Sequence, residues 1–483
     1  MPGKQDQEAE SDTHHSSVIT HHSGGCPVCG ADGNEIFFEA HKVPVFCNVL
    51  WPDREAALGA RRAEISLALC RGCGLIYNAA FDPHLVEYDP AYENSLHFSP
   101  RFQQYADCLA KRLVERHGLQ GKDVIEIGCG QGDFLALLAQ HGAGRCVGFD
   151  PSFDPARAAA APGVTVVAEY FGEGQKEGRG DSGTRGLGDG ETAQTGGRNS
   201  EFGVRNSALS IQHSALSADL ICCRHVLEHV ADPIGFLQCV RHAADPSAAP
   251  VASPCPRVPA SPSPRVPESP SPRVPASPSL PVFFFEVPNA LCTLKDLAVW
   301  DIIYEHCCYY TRASLAEVFR RAGFQALSLA EEYEGQFLTI EARTGEGAAA
   351  GSPASLDADG GEVDTAALCR QFRAAYERKL GTWRAMLQLL AGQGKRVVLW
   401  GAGSKGVTFL NVLNVPTRVV EYVVDINPRK AGRFIPGTGQ QVVEPDFLRE
   451  YQPNVIIVMN PIYVDEISRQ IGGLIMFCDV MTA

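Results

Sequence analysis

The chain has 483 residues, a formal net charge of −14 at pH 7 and 45% hydrophobic residues. This length exceeds one ordinary core and predicts two or three domains, while the acidic balance argues against nucleic acid as the main partner. The sequence has no apolar run long enough to cross a membrane, and its first residues lack the apolar core of a signal peptide. We therefore expect a cytoplasmic protein that does not act at a membrane.

Two cysteine pairs follow a polar tail, residues 1–24, that we expect to be disordered. The pairs are Cys26-x-x-Cys29 and Cys70-x-x-Cys73. Each C-x-x-C spacing turns two thiolates to one side of a tight turn, and two such turns supply the tetrahedral four-thiolate site that suits zinc. Four protein ligands leave no open position, so the metal would be structural. Disulfides are the alternative, which a reducing cytoplasm disfavours. We predict a small zinc-binding domain over residues 25–90.

The stretch from Asp123 to Asp133 reads as an apolar strand that runs into a turn with three alternating glycines, and a second strand ends on Asp150. Dinucleotide sites of the G-x-G-x-x-G type need a small residue at position 133, where this chain has Asp. The G-x-G-x-G pattern, with Glu126 ahead of it, is instead similar to motif I of the class I S-adenosylmethionine (SAM) methyltransferases. The predicted SAM-binding residues are Glu126, Gly128, Gly130, Gly132, Asp150, Glu169 and His225.

Two low-complexity insertions interrupt this central region, which we assign to residues 91–343. Residues 172–217 are rich in Gly, Ser and charge, and residues 246–281 contain a proline-rich repeat. Neither composition can bury enough apolar surface to offset the entropy of ordering. The segments 218–224 and 282–288 read as buried strands of a parallel sheet. Removing the insertions restores an uninterrupted alternation of strands and helices, so we expect them to lie in loops.

A second nucleotide-type unit follows a predicted linker at 344–363. Residues 364–391 carry apolar side chains at helical spacing, which predicts an amphipathic packing helix at the start of a C-terminal domain over 364–483. Gly401, Gly403 and Gly406 then match G-x-G-x-x-G, and a later strand ends on Asp425. Taken alone, this is a dinucleotide fingerprint. An NAD-dependent or bifunctional nucleotide-sugar enzyme is therefore the rival interpretation.

A histidine beside a glutamate, Glu305-His306, is a candidate general base. A surface histidine on a loop is the alternative that the local sequence leaves open. Tyr304 directly precedes the pair.

These motifs occur in an order that resembles the SAM-dependent sugar C-methyltransferases of deoxysugar pathways. The resemblance covers residues 26–480 without the insertions. It rests on the two cysteine pairs, Tyr92-Glu93-Asn94, the glycine turn after Glu126, His225-x-x-Glu-His229, Glu305-His306 and Gly401-x-Gly-x-Lys-Gly406. The family implies an α/β protein in which a small N-terminal zinc-binding domain and a C-terminal Rossmann-like domain flank a class I SAM-methyltransferase Rossmann-like domain. Its best-known members methylate carbon 3 of dTDP-linked 4-keto sugars.

The resemblance also implies roles for individual residues. His306 would remove a proton beside the ketone, with Glu305 and Tyr92 in the same pocket, and the resulting carbanion would take the methyl group of SAM. One departure is that the family often has Tyr-x-Glu-His, which puts the role of Tyr304 in doubt. The C-terminal domain would help to hold the nucleotide-linked keto sugar through Gly401, Gly403, Lys405, Gly406, Asp425 and Lys430.

A non-catalytic SAM- or zinc-binding protein is the third possibility, because the long insertions hint at relaxed constraint. The retained Glu305-His306 pair argues against it.

Overall fold

The computed structural model describes residues 25–88, 90–157, 161–171, 218–244, 281–345, 363–474 and 477–483. The predicted tail, the first insertion, the second insertion up to residue 280 and most of the linker lie outside these residues. No helix in the described part of the chain combines the length and the apolar character needed to cross a membrane.

The N-terminal unit is an antiparallel sheet that packs beside the two cysteine pairs. Its elements are β1 (Glu35–Pro44), α1 (Arg54–Leu58), β2 (Arg62–Leu69) and β3 (Ile76–Asn78). Strand β2 lies between β1 and β3, and its residues Ile65 and Leu67 are buried in the core. The second cysteine pair lies in the turn between β2 and β3, so the same two strands that form the sheet present those thiols.

The middle unit is built on a seven-stranded sheet in the order β10-β11-β8-β7-β4-β5-β6. Its strands are β4 (Val124–Ile127), β5 (Cys146–Phe149), β6 (Val164–Val167), β7 (Leu220–Arg224), β8 (Val282–Pro288), β10 (Phe324–Glu332) and β11 (Phe337–Thr344). Its helices are α2 (Pro100–His117), α3 (Asp133–Gln140), α4 (Pro233–Ala244), α5 (Ala290–Leu294) and α6 (Arg312–Arg321). Strands β7 and β8 pair in parallel, as in Ile221 with Phe283, which confirms the two buried strands predicted on either side of the second insertion.

A short strand of the middle unit, β9 (Cys308–Tyr309), leaves that sheet and joins the N-terminal one. It pairs antiparallel with β3, with Ile76 opposite Tyr309 and Tyr77 opposite Cys308. The N-terminal sheet therefore has the order β1-β2-β3-β9. This pairing places Glu305 and His306, just before β9, against the N-terminal unit.

The C-terminal unit begins with the long helix α7 (Thr365–Gly392), which confirms the predicted amphipathic helix. Its buried stripe includes Phe372, Tyr376, Leu380 and Trp383, and Phe372 and Tyr376 contact Phe38 of β1. A five-stranded parallel sheet follows in the order β14-β13-β12-β15-β16. Its elements are β12 (Val397–Trp400), α8 (Ser404–Val412), β13 (Val420–Val424), β14 (Gln441–Val443), α9 (Leu448–Tyr451), β15 (Val455–Val458), α10 (Val464–Ile471) and β16 (Asp479–Thr482).

Buried polar contacts join the C-terminal unit to the middle one. The carboxylate of Glu466 accepts hydrogen bonds from the Ser99 hydroxyl at 2.9 Å and from the Arg101 amide at 3.1 Å, at the first turn of α2. The side-chain amides of Gln336 and Asn460 donate to each other at 3.2 and 2.9 Å. A carboxylate at a helix N-terminus satisfies amides that the helix leaves free, so this contact orients α10 against α2.

Candidate active site

The four cysteines of the two C-x-x-C pairs converge on one point. The Sγ atoms of Cys26 and Cys73 are 3.5 Å apart, and those of Cys29 and Cys70 are 3.4 Å apart. All four are free thiols, and one ligating atom from each lies within 4.8 Å of the others. The hydrogen bond from the Cys73 thiol lowers the pKa of Cys26 despite its burial. Four convergent thiols, one of them acidified, form a donor set that could hold a tetrahedral metal ion.

The first glycine turn shows why these positions require glycine. Gly128, Gly130 and Gly132 have φ of +71°, +57° and +84°, a region that L side chains rarely adopt. A Cβ on Gly128 would lie 2.2 Å from Cγ2 of Val226. A Cβ on Gly130 would meet no heavy atom within 4 Å, so the turn leaves open space at its middle. The turn thus fits a ligand that approaches the backbone closely.

Asp150 lies at the end of β5 and folds back onto the turn. Its Oδ2 accepts the Gly130 amide at 2.7 Å, and its Oδ1 accepts the amide and hydroxyl of Ser152 at 2.8 and 2.6 Å. Each carboxylate oxygen has two acceptor sites, so Oδ1 is fully used and Oδ2 keeps one site for a further donor. The ribose contact predicted for Asp150 would use this remaining site. Glu169, also predicted at this site, is partly buried just after β6, next to the exposed Tyr170.

Glu126 is buried in β4 beneath the turn, where loss of solvent raises the pKa of its carboxyl to about 8 although Arg224 opposes the shift. The guanidinium of Arg224 lies 4.1 Å from the ring centre of Phe134 and donates to Glu286 at 3.0 Å. Neither Arg224 nor Glu286 was predicted from the sequence. A charged residue at the end of a buried strand was the available signal.

Glu126 should make the stability of the ligand-free protein depend on pH. An acid whose pKa is raised in the folded state destabilises that state as pH rises from its unfolded pKa, near 4.5, toward about 8. Glu126→Gln stays neutral and should remove this loss. We expect a higher Tm for the variant at pH 8 and a much smaller difference at pH 5, measured by differential scanning calorimetry. A Tm difference that is the same at both pH values would contradict this assignment.

His225 occupies the left-handed region with φ of +54° and lies at the end of β7. Its Nε2 is 2.8 Å from Oε1 of Glu286. Burial alone would lower the pKa of His225, but its contacts with Glu228 and Glu286 outweigh burial and raise the pKa to about 9. The pKa of Glu286 falls to about 2, because Arg224 and His225 more than offset the effect of burial. His225 is therefore cationic at neutral pH and belongs to a buried ionic cluster.

Glu305 and His306 lie between the N-terminal unit and the segment after β7. Glu305 is completely buried, and its Oε2 accepts the amide of Cys47 at 2.8 Å. Tyr92 lies near the same carboxylate, and Nδ2 of Asn48 lies 3.2 Å from its phenol oxygen. Burial raises the pKa of Glu305 to about 7, although the Cys47 amide and Tyr92 oppose the shift. The structure thus places Tyr92 near Glu305.

The imidazole of His306 packs against that of His229, with ring centres 4.9 Å apart. Nδ1 of His229 lies 2.8 Å from the hydroxyl of Tyr88 and 3.0 Å from the carbonyl of Glu305. Burial lowers the pKa of His306 well below its usual range, and the neighbouring His229 adds to the effect. His306 is therefore neutral at neutral pH, with a lone pair free to accept a proton.

Segment 225–229 connects the glycine turn to this histidine. Val226 fills the space beside Gly128, and His229 contacts His306. Glu228, His229 and His306 also bring one ligating atom each within 4.8 Å of one another. A metal ion there would occupy the lone pair that a base needs. Tyr304 lies apart from this group, because its hydroxyl accepts the Asp82 amide at 2.8 Å.

The second glycine turn repeats one contact of the first, a hydrogen bond from a turn amide to the acid after the next strand. Gly401 has φ of +115°, and the Ala402 amide donates to Oδ2 of Asp425 at 2.8 Å. Lys430 is buried, with its Nζ 3.4 Å from Asp425 and 3.3 Å from the carbonyl of Ala402. A Cβ on Gly406 would lie 2.0 Å from the carbonyl oxygen of Gly401, so close packing requires this glycine.

The C-terminal turn lies close to the Tyr92 pocket. A Cβ on Gly403 would have Oδ1 of Asn48 and Nζ of Lys430 as neighbours, each at 4.0 Å. Lys405 is ion-paired with Asp301. Cys47, Asn48 and Tyr88 complete the site although the sequence analysis did not select them. No local pattern marks them, since they act through contacts with distant segments.

Two family models match the chain. The model described as a methyltransferase domain matches residues 101–329, and the one described as a C-methyltransferase C-terminal domain matches residues 357–476. The chain is also similar to the C-methyltransferase NovU from Streptomyces niveus. The two are 22% identical over 461 residues, which is 92% of this chain and 90% of that protein.

Solved structures resemble parts of the fold at low similarity. A SAM-dependent methyltransferase from Aquifex aeolicus has a TM-score of 0.30 and 12% identity, covering 53% of this chain and 98% of that one. The magnesium protoporphyrin IX methyltransferase of Synechocystis with bound S-adenosylhomocysteine (SAH) has a TM-score of 0.28 and 15% identity, covering 53% and 91%.

Proposed function

The chain belongs to the SAM-dependent C-methyltransferases, and from this premise we propose that it methylates a carbon beside the ketone of a nucleotide-linked 4-keto deoxysugar. The observation that carries the proposal is the continuous path from the glycine turn through segment 225–229 to His306. This path links a cofactor-type turn to a neutral, half-buried histidine through one short segment. The acceptor class is supported by the order of the motifs and by the second glycine turn beside Asn48.

Residues of the middle unit would hold SAM. Gly128, Gly130 and Gly132 admit a close ligand, Asp150 has acceptor capacity for ribose hydroxyls, and Glu126 lies beneath the turn as an acid that a cationic ligand would ionise. SAM supplies a methyl group on a sulfonium, which a carbanion can take. Glu169 and His225 complete the proposed set, His225 through its ionic cluster with Glu286.

The side chains around His306 would generate that carbanion. A hydrogen beside a ketone is acidic because the resulting charge delocalises onto oxygen. His306 would accept this proton at a ring nitrogen, since its lowered pKa keeps it neutral. Glu305 precedes His306 in the chain and accepts the Cys47 amide, and its carboxyl has a pKa of about 7. Hydrogen-bond donors near the ketone would stabilise the enolate oxygen.

We also propose that Cys26, Cys29, Cys70 and Cys73 bind structural zinc. The convergence of their four Sγ atoms supports this function. The C-terminal turn, with Gly401, Gly403, Lys405, Gly406, Asp425 and Lys430, would help to hold the nucleotide sugar rather than NAD. Asp425 accepts the amides of Ala402 and Asn427 and is ion-paired with the buried Lys430, a cation that competes with ribose hydroxyls for this carboxylate.

Calorimetric titration of the protein with SAH and, separately, with NADH distinguishes a SAM-dependent methyltransferase from an NAD-dependent enzyme. We expect SAH to bind and NADH not to bind. Gly128→Ala should abolish SAH binding, because its Cβ would overlap Val226 in a backbone region that alanine avoids. Gly381→Ala, on the open face of α7, is the matched control. Binding of NADH alone would overturn the proposal and move the chemistry to the C-terminal turn.

A further inference from the structure

Two arginines from different units of the protein meet on one carboxylate. Oε2 of Glu93 is ion-paired with Arg157 and lies 3.4 Å from Nη1 of Arg429. Nη2 of Arg429 also donates to the carbonyl of Arg157 at 3.1 Å. The Glu93 side chain is only 10% exposed, whereas those of Arg157 and Arg429 keep 19% and 33%. This group, the arginine pair, therefore carries a net positive charge that solvent can still reach.

The arginine pair lies where both parallel sheets present their ligand-binding edges. Arg157 follows Asp150 in the chain after β5, and Arg429 follows Asp425 in the single turn after β13. In open α/β sheets, ligands bind beyond the carboxyl ends of the strands. The contact between Arg429 and Arg157 shows that these two edges meet. Glu93 adds the segment that also carries Tyr92, whose hydroxyl reaches Glu305.

The chemistry of the arginine pair suits a phosphate group. A guanidinium presents a planar fork of donors that matches phosphate oxygens. One arginine and Glu93 would suffice to tie two units together, so the second guanidinium leaves a surplus charge. Nearby lysines have partners of their own, because Lys405 is paired with Asp301 and Lys430 with Asp425.

We propose that Arg157 and Arg429 bind the diphosphate of the acceptor substrate, and that Glu93 holds both guanidiniums in position until the phosphates arrive. The inference rests on the proposed function, since a diphosphate belongs to a nucleotide-linked acceptor. The inference also predicts opposite effects for Glu93 and for the arginines. In a group that only ties units together, loss of Glu93 would bring no gain in diphosphate affinity, whereas a bound diphosphate is attracted by the arginines and repelled by Glu93.

Titration of the full chain with dTDP and with inorganic pyrophosphate tests this assignment. Arg429→Gln and Arg157→Gln should each weaken both ligands about tenfold or more, the effect of one lost charge-assisted contact. Glu93→Gln should tighten them, because the competing carboxylate is gone. Arg433→Gln, at an exposed arginine near Arg429, is the matched control and should change neither affinity. The affinity for SAH should stay constant in all variants, which verifies folding.

Unchanged diphosphate affinity in the arginine variants would overturn the inference, as would a parallel loss in Glu93→Gln. If Arg429→Gln does not bind SAH, Arg429→Lys takes its place in the test, because lysine keeps the positive charge but lacks the planar fork of donors. It should also weaken dTDP, and an unchanged affinity would again overturn the assignment. Arginine-dependent diphosphate binding in a protein that methylates no nucleotide sugar would support the site and overturn the proposed acceptor class.

Discussion

His306→Gln should lower kcat by about 10³-fold, within the range that a general base contributes, and leave the affinity for SAH unchanged. The glycine turn that would hold SAH is separated from His306 by segment 225–229, so loss of the imidazole does not alter it. Exchange of the substrate hydrogen beside the ketone for deuterium from solvent gives a second readout. It should stop in the variant, because proton removal precedes methyl transfer.

The pH dependence of the wild-type enzyme provides an independent check on His306. Only the neutral imidazole can accept a proton, and burial lowers the pKa of His306 well below its usual range. The limb of kcat attributable to His306 should therefore appear only on the acidic side of that usual range. The exposed His242→Gln variant is the control for the substitution. Hydrogen exchange that persists in His306→Gln would instead assign proton removal to another group, with Glu305 the first to test.

Cys70→Ser should release the proposed zinc and inactivate the enzyme while SAH still binds. Cys70 is fully buried in the turn between β2 and β3, and structural zinc sites contribute directly to folding free energy. Strand β3 pairs with β9, just after His306, so melting of the N-terminal sheet would displace the base. The glycine turn lies on a different sheet and should keep its ligand.

Metal content, circular dichroism and SAH titration of the purified variant measure these three effects. Cys108→Ser, at an exposed free cysteine on α2, is the matched control and should retain both metal and activity. A Cys70→Ser protein with full activity and no metal would refute the structural role. Loss of SAH binding together with the metal would show that the N-terminal and middle sheets unfold as one unit.

Patterns within single segments of the sequence predicted the strands and helices whose formation depends on the spacing of nearby residues. The apolar run before Gly128 became β4, and the stripe from Phe372 to Leu390 became the buried face of α7. The two strands on either side of the second insertion paired in parallel. Each of these features depends on the spacing of apolar and small residues within one segment, which the sequence displays directly.

Contacts between distant segments could not be predicted in this way. The amide that holds Glu305 comes from Cys47, 258 positions earlier in the chain. Lys405, selected as a contact to the nucleotide sugar, is ion-paired with Asp301, and the lowered pKa of His306 depends on burial and on charges as distant in the chain as His229 and Lys405. Charge and hydrogen-bonding capacity are visible in a sequence, but the partner that each group meets is set by tertiary packing.

The placement of β9 limits how this protein can be divided or recombined. The edge of β3 that β9 covers would be exposed in a fragment ending before the middle unit, and an uncovered strand edge invites association with other chains. A chimera that takes its first 90 or so residues from a relative would have to match Cys308 and Tyr309 as well. All four paired cysteines of the N-terminal unit come from its own segment of the chain, but one strand of its sheet, β9, comes from the middle unit. Any exchange therefore has to treat residues 304–310 as part of the N-terminal unit.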